Sequence, residues 1–209
     1  MIYRNIIEFL KKRTIELIGL TLIFTALLLI ISFISYSPND PTSFYGDEKV
    51  IVNNFLGIYG VMVANFLLQS FGLASFLFLI TVTIWGISLI VKKEIKEIHF
   101  KLFYAILYLI FSCIFIYLTF NNSFWLIDNG NSGFVGQIFY NWVLILLPNL
   151  NNEYFIFIFI ILSLVFFILA SNINIKYFWL PVIIFFNIFK KKKLLSQAII
   201  IEEESEKLI

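Results

Sequence analysis

The sequence predicts an all-α integral membrane protein: four transmembrane helices as two in–out–in hairpins, with short outer-surface helices and a C-terminal interfacial helix. Three observations predict it. Sixty-one per cent of the residues are hydrophobic and 13% are charged, whereas a soluble domain carries about a quarter charged residues. Long charge-free stretches separate the charges, and a helical crossing needs about 20 apolar residues. Four crossings put all of the 15 Lys and Arg residues except Lys49 on one side, the bias that cytoplasmic loops carry.

Residues 1–14 are a basic cytoplasmic N-tail containing Arg4, Lys11, Lys12 and Arg13. The apolar run behind them is too long for a signal-peptide core and lacks a small-residue exit, so it is expected to stay as an anchor. The first span is expected near 16–36. The stretch Val50–Val91 has room for two crossings, but two would put Lys92, Lys93, Lys96 and Lys101 outside. One crossing, near 71–91, keeps them inside. Residues 50–70 then form an outer-surface helix, too polar for hydrocarbon at Asn53, Asn54, Asn65 and Gln69.

The third span is expected near 102–120. Residues 133–147 are too short to cross and end at Pro148-Asn149; they read as a second surface helix with Trp142 at headgroup level. The fourth span, near 153–172, closes a membrane domain of residues 15–175. In residues 176–209 the apolar Tyr177–Phe189 precedes four lysines, Lys190, Lys191, Lys192 and Lys193. A fifth crossing would export those lysines. An interfacial helix with the ammonium groups at lipid headgroups does not, and a cytoplasmic linker bearing Glu202–Glu206 begins there.

The chain looks duplicated. Each half runs basic stretch, span, outer loop, G-x-x-G surface helix, turn, span. Gly57 and Gly60 correspond to Gly133 and Gly136, and Phe71-Gly72 to Leu147-Pro148.

No catalytic constellation emerges. The expected spans hold no interior Asp, Glu, Lys, Arg or His, the groups that mark ion and proton paths. His99 is the one histidine and Cys113 the one cysteine; both read as structural. There is no metal-ligand cluster and no phosphate-binding loop. No catalytic residue, cofactor or metal is therefore expected.

The most specific string is Ser35-Tyr36-Ser37-Pro38-Asn39-Asp40-Pro41 at the end of the first span. Both prolines fix φ and push the preceding residue out of the helical region, and Asn39 or Asp40 can bond nearby backbone. The string is a rigid turn that stops the span, holds Tyr36 at headgroup level and exposes the Asp40 acid.

That string resembles the signature of the N-terminal four-span domain of the FtsK/SpoIIIE DNA translocases. So do Asn54 and Gly57 as N-x-x-G, then Gly60, Ala64, Leu68, Phe71-Gly72, Ala74 and Trp85-Gly86. Asn65 stands where the family usually has Asp, and Val61 where it usually has Ala. The resemblance covers about residues 14–175. It implies a membrane anchor and assembly domain of a septal DNA translocase, active in bacterial cell division and chromosome segregation. It places the domain in the inner membrane with both termini cytoplasmic. It implies other cell-division membrane proteins as partners, a homo-oligomer (a hexamer), and an ATP-driven motor outside these residues. The lipid bilayer is the other partner, and no direct nucleic-acid contact is expected. Candidate contact residues are Tyr36, Ser37, Pro38, Asn39, Asp40, Pro41, Asn54, Gly57, Gly60, Asn65, Gln69, Gly72, Trp85 and Gly86. The alternative is a small transporter or channel subunit, which requires polar groups along a pathway.

Overall fold

The computed structural model describes residues 2–41, 52–123, 125–148 and 152–171. The expected C-terminal interfacial helix, Lys190–Lys193 and Lys49 lie outside the described residues. Those described form six helices and no strand: α1 Ile2–Ile34, α2 Gly57–Phe71, α3 Ala74–Lys92, α4 Ile98–Phe120, α5 Gly133–Leu146 and α6 Asn152–Ser171. Four of them, α1, α3, α4 and α6, are long and apolar enough to cross a membrane.

The helix boundaries follow local chemistry. α1 runs through Leu- and Ile-rich sequence without proline and stops before Ser35-Tyr36-Ser37-Pro38, where the residue ahead of proline is forced out of the helical region. It begins at Ile2, so the basic tail is helical. α2 begins only at Gly57, later than expected, because the Asn54 side chain accepts the Leu56 N–H (3.1 Å) and holds Asn53–Leu56 as a turn. Gly72, at φ +55°, ends α2 and returns its own N–H to the Leu68 carbonyl at 2.7 Å. With Leu73 it makes an elbow, so α3 starts at Ala74 instead of 71.

The long helices pair as antiparallel neighbours. Along α1 and α3, Glu16 meets Lys93, Gly19 meets Gly86, and Phe33 meets Phe76 edge-on at 5.3 Å. Along α4 and α6, Tyr108 meets Phe167, Ser112 meets Ser163, and Phe111 meets Phe159. A Cβ on Gly19 would lie 2.7 Å from the Gly86 oxygen, and one on Gly86 2.8 Å from the Gly19 oxygen. Reciprocal glycines let the two backbones approach, as small residues do between helices in lipid.

The two short helices sit at the end of the bundle where α1 and α4 finish. α2 packs on α5 and α1 more extensively than on α3. The cause is Gly60, whose carbonyl accepts the Ser32 hydroxyl of α1 at 2.8 Å. Gly136 plays the matching part in the second half: a Cβ there would lie 2.7 Å from the Cys113 carbonyl of α4.

Buried Trp85, Ala105, Tyr108, Cys113 and Ile116 form the main apolar core. Phe33, Ala64, Leu68, Leu79 and Leu126 form a second core where α2 meets α1 and α3. Interior polar groups are matched: Thr81 with Tyr108 at 2.9 Å, Ser112 with Ser163 at 2.6 Å, and the Trp85 indole with the Ala170 carbonyl at 2.8 Å. Among the described residues no buried side-chain nitrogen or oxygen lacks a partner, the condition that a water-free surrounding imposes.

Candidate partner-contact site

The turn after α1 is built around the Asp40 carboxylate. Its Oδ1 accepts the Asn53 N–H and the Asn53 Nδ2, both at 2.9 Å, and its Oδ2 accepts the Asn54 N–H at 3.0 Å. Asp40 is only 4% exposed, which corrects the expectation that the turn offers this acid to a partner. The reason is local: the chain entering α2 leaves backbone N–H groups without helical acceptors, and a charged acceptor binds such donors strongly. Ser37 caps the same turn by accepting the Asn39 N–H at 3.3 Å. Pro38 and Asn39 remain exposed, and Pro41 is half-buried.

Asn54 ties this turn to α1. Its Nδ2 donates to the Ser32 carbonyl at 2.9 Å while its Oδ1 holds the Leu56 N–H. A side chain on Gly60 would strike this amide, so Asn54 and Gly60 are one unit. Gly57 serves differently. It starts α2 at φ +63° with open space around it, a conformation that only glycine adopts freely.

Tyr36 is the hub between the two halves of the chain. Its hydroxyl donates to Asn65 Oδ1 and accepts from Gln69 Nε2, each at 3.1 Å. Gln69 passes the connection on, its Oε1 accepting Asn129 Nδ2 at 2.8 Å. Trp125 packs edge-on against the Tyr36 ring with centroids 5.9 Å apart. Burial pushes the Tyr36 phenol above its usual range; the Gln69 hydrogen bond opposes that, and the nearby Asp128 and Asp40 charges add to it. Asn65, the amide where the resembled family usually has an acid, thus spends its carbonyl inside the chain.

Gly72 closes the site from below. It meets Asn131 and Gly133, and the Leu73 N–H donates to the Asn131 carbonyl at 2.8 Å. Residues 36–72 of the candidate set are therefore brought together at one end of the bundle. Trp85 and Gly86 are not: they lie further along α3, the indole on α6 and the glycine on α1. Sequence reasoning missed Ser32, Trp125, Asn129 and Asn131, because a serine in an apolar helix and amides in a loop carry no distinguishing local signal. Gly19 had one, since a lone glycine inside a span marks a close approach.

Among the described residues the site leaves large apolar side chains outward beside the exposed Asn39, Asn53 and Asp128. Phe55, Tyr59 and Phe66 are exposed on or beside α2, and the Phe55 N–H donates to the Ser35 hydroxyl at 3.1 Å. On α5, Phe134, Ile138, Trp142 and Ile145 are exposed. The exposed residues Ile58, Met62 and Phe66 stand at the same offsets from Gly57 as Phe134, Ile138 and Trp142 do from Gly133. Among the described residues no group of three or more His, Cys, Asp or Glu side chains is placed to hold a metal.

Comparison with known proteins agrees with this architecture. The family described as the 4TM region of DNA translocase FtsK/SpoIIIE matches residues 11–183. That description names a membrane region and not a catalytic one. A DNA translocase FtsK of Azospirillum brasilense is 30% identical over 94 residues, 44% of this chain and 15% of that protein. The aligned part thus spans less than a sixth of that relative's length. No solved structure matches.

Proposed function

The chain belongs to the 4TM family of the FtsK/SpoIIIE DNA translocases, and from that premise we propose that it is the membrane anchor and assembly domain of a septal translocase. In this reading it is a multi-pass protein of the bacterial inner membrane. The end carrying Lys92, Lys93, Lys96 and Lys101 faces the cytoplasm and the end carrying α2 and α5 faces outward. The two antiparallel pairs become two in–out–in hairpins, with α2 and α5 lying at the outer surface. Other division proteins and further copies of the chain are its partners, and DNA work belongs to a motor outside these residues.

The observation that carries the reading is how the family motif is spent. Tyr36, Asp40, Asn54, Asn65 and Gln69 direct their polar groups into the chain and lock α1, α2 and the 121–132 loop together. No Asp, Glu, Lys, Arg or His lies in residues 17–34, 74–91, 102–120 or 154–171 of the four long helices, and the buried hydroxyls of Thr81, Tyr108, Ser112 and Ser163 pair with each other. Such a bundle is built to hold a shape, not to pass a solute. The contact surface is then the uncharged rim of Pro38, Asn39, Phe55 and Tyr59.

The test is to fuse residues 1–209 to a fluorescent reporter in a dividing bacterium. The anchor reading expects a band at the division site without any motor. Even distribution round the envelope sinks it in that host.

A further inference from the structure

Residues 2–13 continue α1 past the length that a bilayer uses. The helix has 33 residues, rising about 50 Å at 1.5 Å each, whereas a crossing takes about 20 residues. Counted back from Ile34, the crossing is complete near Ile15. Glu16, paired with Arg13 and Lys93, marks where charge begins. Every side chain from Tyr3 to Thr14 is exposed.

This exposed segment is sorted into faces. At 100° per residue, Tyr3, Ile6, Ile7, Phe9 and Leu10 share one side, and Arg4, Asn5, Glu8, Lys11 and Lys12 the other. Five large apolar side chains cannot be left to water, so something covers them. A second copy is disfavoured by charge. Arg4 and Lys11 flank the stripe beyond Ile7, Lys12 flanks it beyond Phe9, and Arg13 lies within it over the Phe9 ring, so two paired stripes would set like charges together. The one acid, Glu8, points directly away from the stripe. Among the described residues Arg4, Lys11 and Lys12 form no ion pair.

An anionic lipid surface fits both features. It accepts an apolar stripe at the acyl boundary and offers phosphates to the basic flanks. We propose that residues 2–13 dock as an interfacial helix on the anionic leaflet beside the Lys92–Lys101 end of the bundle. The bend this needs has a site: the Thr14 hydroxyl donates back to the Leu10 carbonyl at 3.0 Å, a bond of the kind that bends helices. The inference concerns the leaflet at that end, whichever compartment it faces, so it stands apart from the division role.

The experiment uses the full chain, Cys113→Ser, reconstituted in vesicles of phosphatidylethanolamine and phosphatidylglycerol. Single cysteines at Ile6, Leu10, Glu8 or Asn5 carry a nitroxide, and collisions with oxygen and with a water-soluble nickel chelate are measured. Docking gives oxygen access several-fold above nickel access at Ile6 and Leu10, and the reverse at Glu8 and Asn5. Lys11→Gln with Lys12→Gln, high salt, or phosphatidylcholine alone should remove most of that contrast. Free nickel access at Ile6 and Leu10 in the anionic vesicles overturns the proposal. So does spin–spin broadening there, which would identify a second copy, or an equal contrast in phosphatidylcholine. All labelled sites are exposed, and an unchanged unfolding temperature for each variant confirms that the fold is kept.

Discussion

Gly72 and Gly133 meet backbone to backbone where the two halves of the chain cross. A Cβ on Gly72 would lie 2.8 Å from the Gly133 nitrogen, and a Cβ on Gly133 would lie 2.7 Å from the Gly72 nitrogen. Both residues have positive φ, +55° and +64°. Space and backbone conformation exclude a side chain independently at each position.

Gly72→Ala and Gly133→Ala should therefore each cost several kcal/mol, since the penalty of about 1–3 kcal/mol for a side chain at such positive φ adds to a backbone clash. Gly57→Ala meets no neighbour and should cost only that conformational penalty. Unfolding in detergent, followed by circular dichroism, would order the three. Equal losses at Gly57 and Gly72 would show that the crossing contributes nothing.

Tyr36→Phe removes the hub and strands Asn65 and Gln69, an effect of about 1–3 kcal/mol. Because Gln69 continues to Asn129, a double-mutant cycle of Tyr36→Phe with Asn129→Ala should be non-additive. The raised Tyr36 phenol adds a pH signature. Its contribution is full below the unfolded phenol value near 10 and is lost as pH rises through the higher folded value. The stability gap between wild type and Tyr36→Phe should thus shrink only at strongly alkaline pH. A gap that closes between pH 6 and 8 would assign the effect to another group.

Gly19 and Gly86 make the α1–α3 contact a matter of backbone proximity. Gly19→Leu or Gly86→Leu should push the helices apart and sharply lower folded yield in detergent, because the opposed carbonyl cannot give way. Gly19→Ala should be milder but measurable. Wild-type yield for the leucine variants would make the glycines incidental.

The orientation can be read directly. In a Cys113→Ser background, a membrane-impermeant thiol reagent added to intact cells should label a cysteine at Asn39 or Asp128 and spare one at Lys96. The Lys and Arg bias motivates the expectation. Labelling at Lys96 reverses the topology.

The four long helices were legible in the sequence because burial in lipid leaves a compositional trace that local reading detects. The two short helices were legible too, through polarity and length, but the start of α2 at Gly57 was not, because it is set by the Asn54 side chain. The α2 partner was not, because it depends on the Ser32 hydroxyl reaching the Gly60 carbonyl, 28 residues away in sequence. The fate of Asp40 was hidden for the same reason. A turn motif reads as solvent-facing until the donors of Asn53 and Asn54, supplied from beyond the loop, are seen around the carboxylate.

That reversal separates two neighbours that a single motif would treat alike. Asn39 is exposed and its side chain is not needed by the turn, whose contact there is the Asn39 N–H to Ser37. Asp40 is buried and accepts three hydrogen bonds. Asp40→Ala should lose about 1–3 kcal/mol or more through stranded donors, with reduced membrane levels of the protein. Asp40→Asn should do little better, because an amide can accept through only one of the two oxygens that Asp40 uses. Asn39→Ala should leave unfolding unchanged within about 0.5 kcal/mol. If the rim contacts a division partner, Asn39→Ala with Tyr59→Ala should weaken the septal band at normal protein levels, whereas Asp40→Ala dims the whole signal. A septal band undiminished in the Asn39→Ala, Tyr59→Ala protein would remove this rim as the contact surface and assign the whole motif to holding α1 against α2.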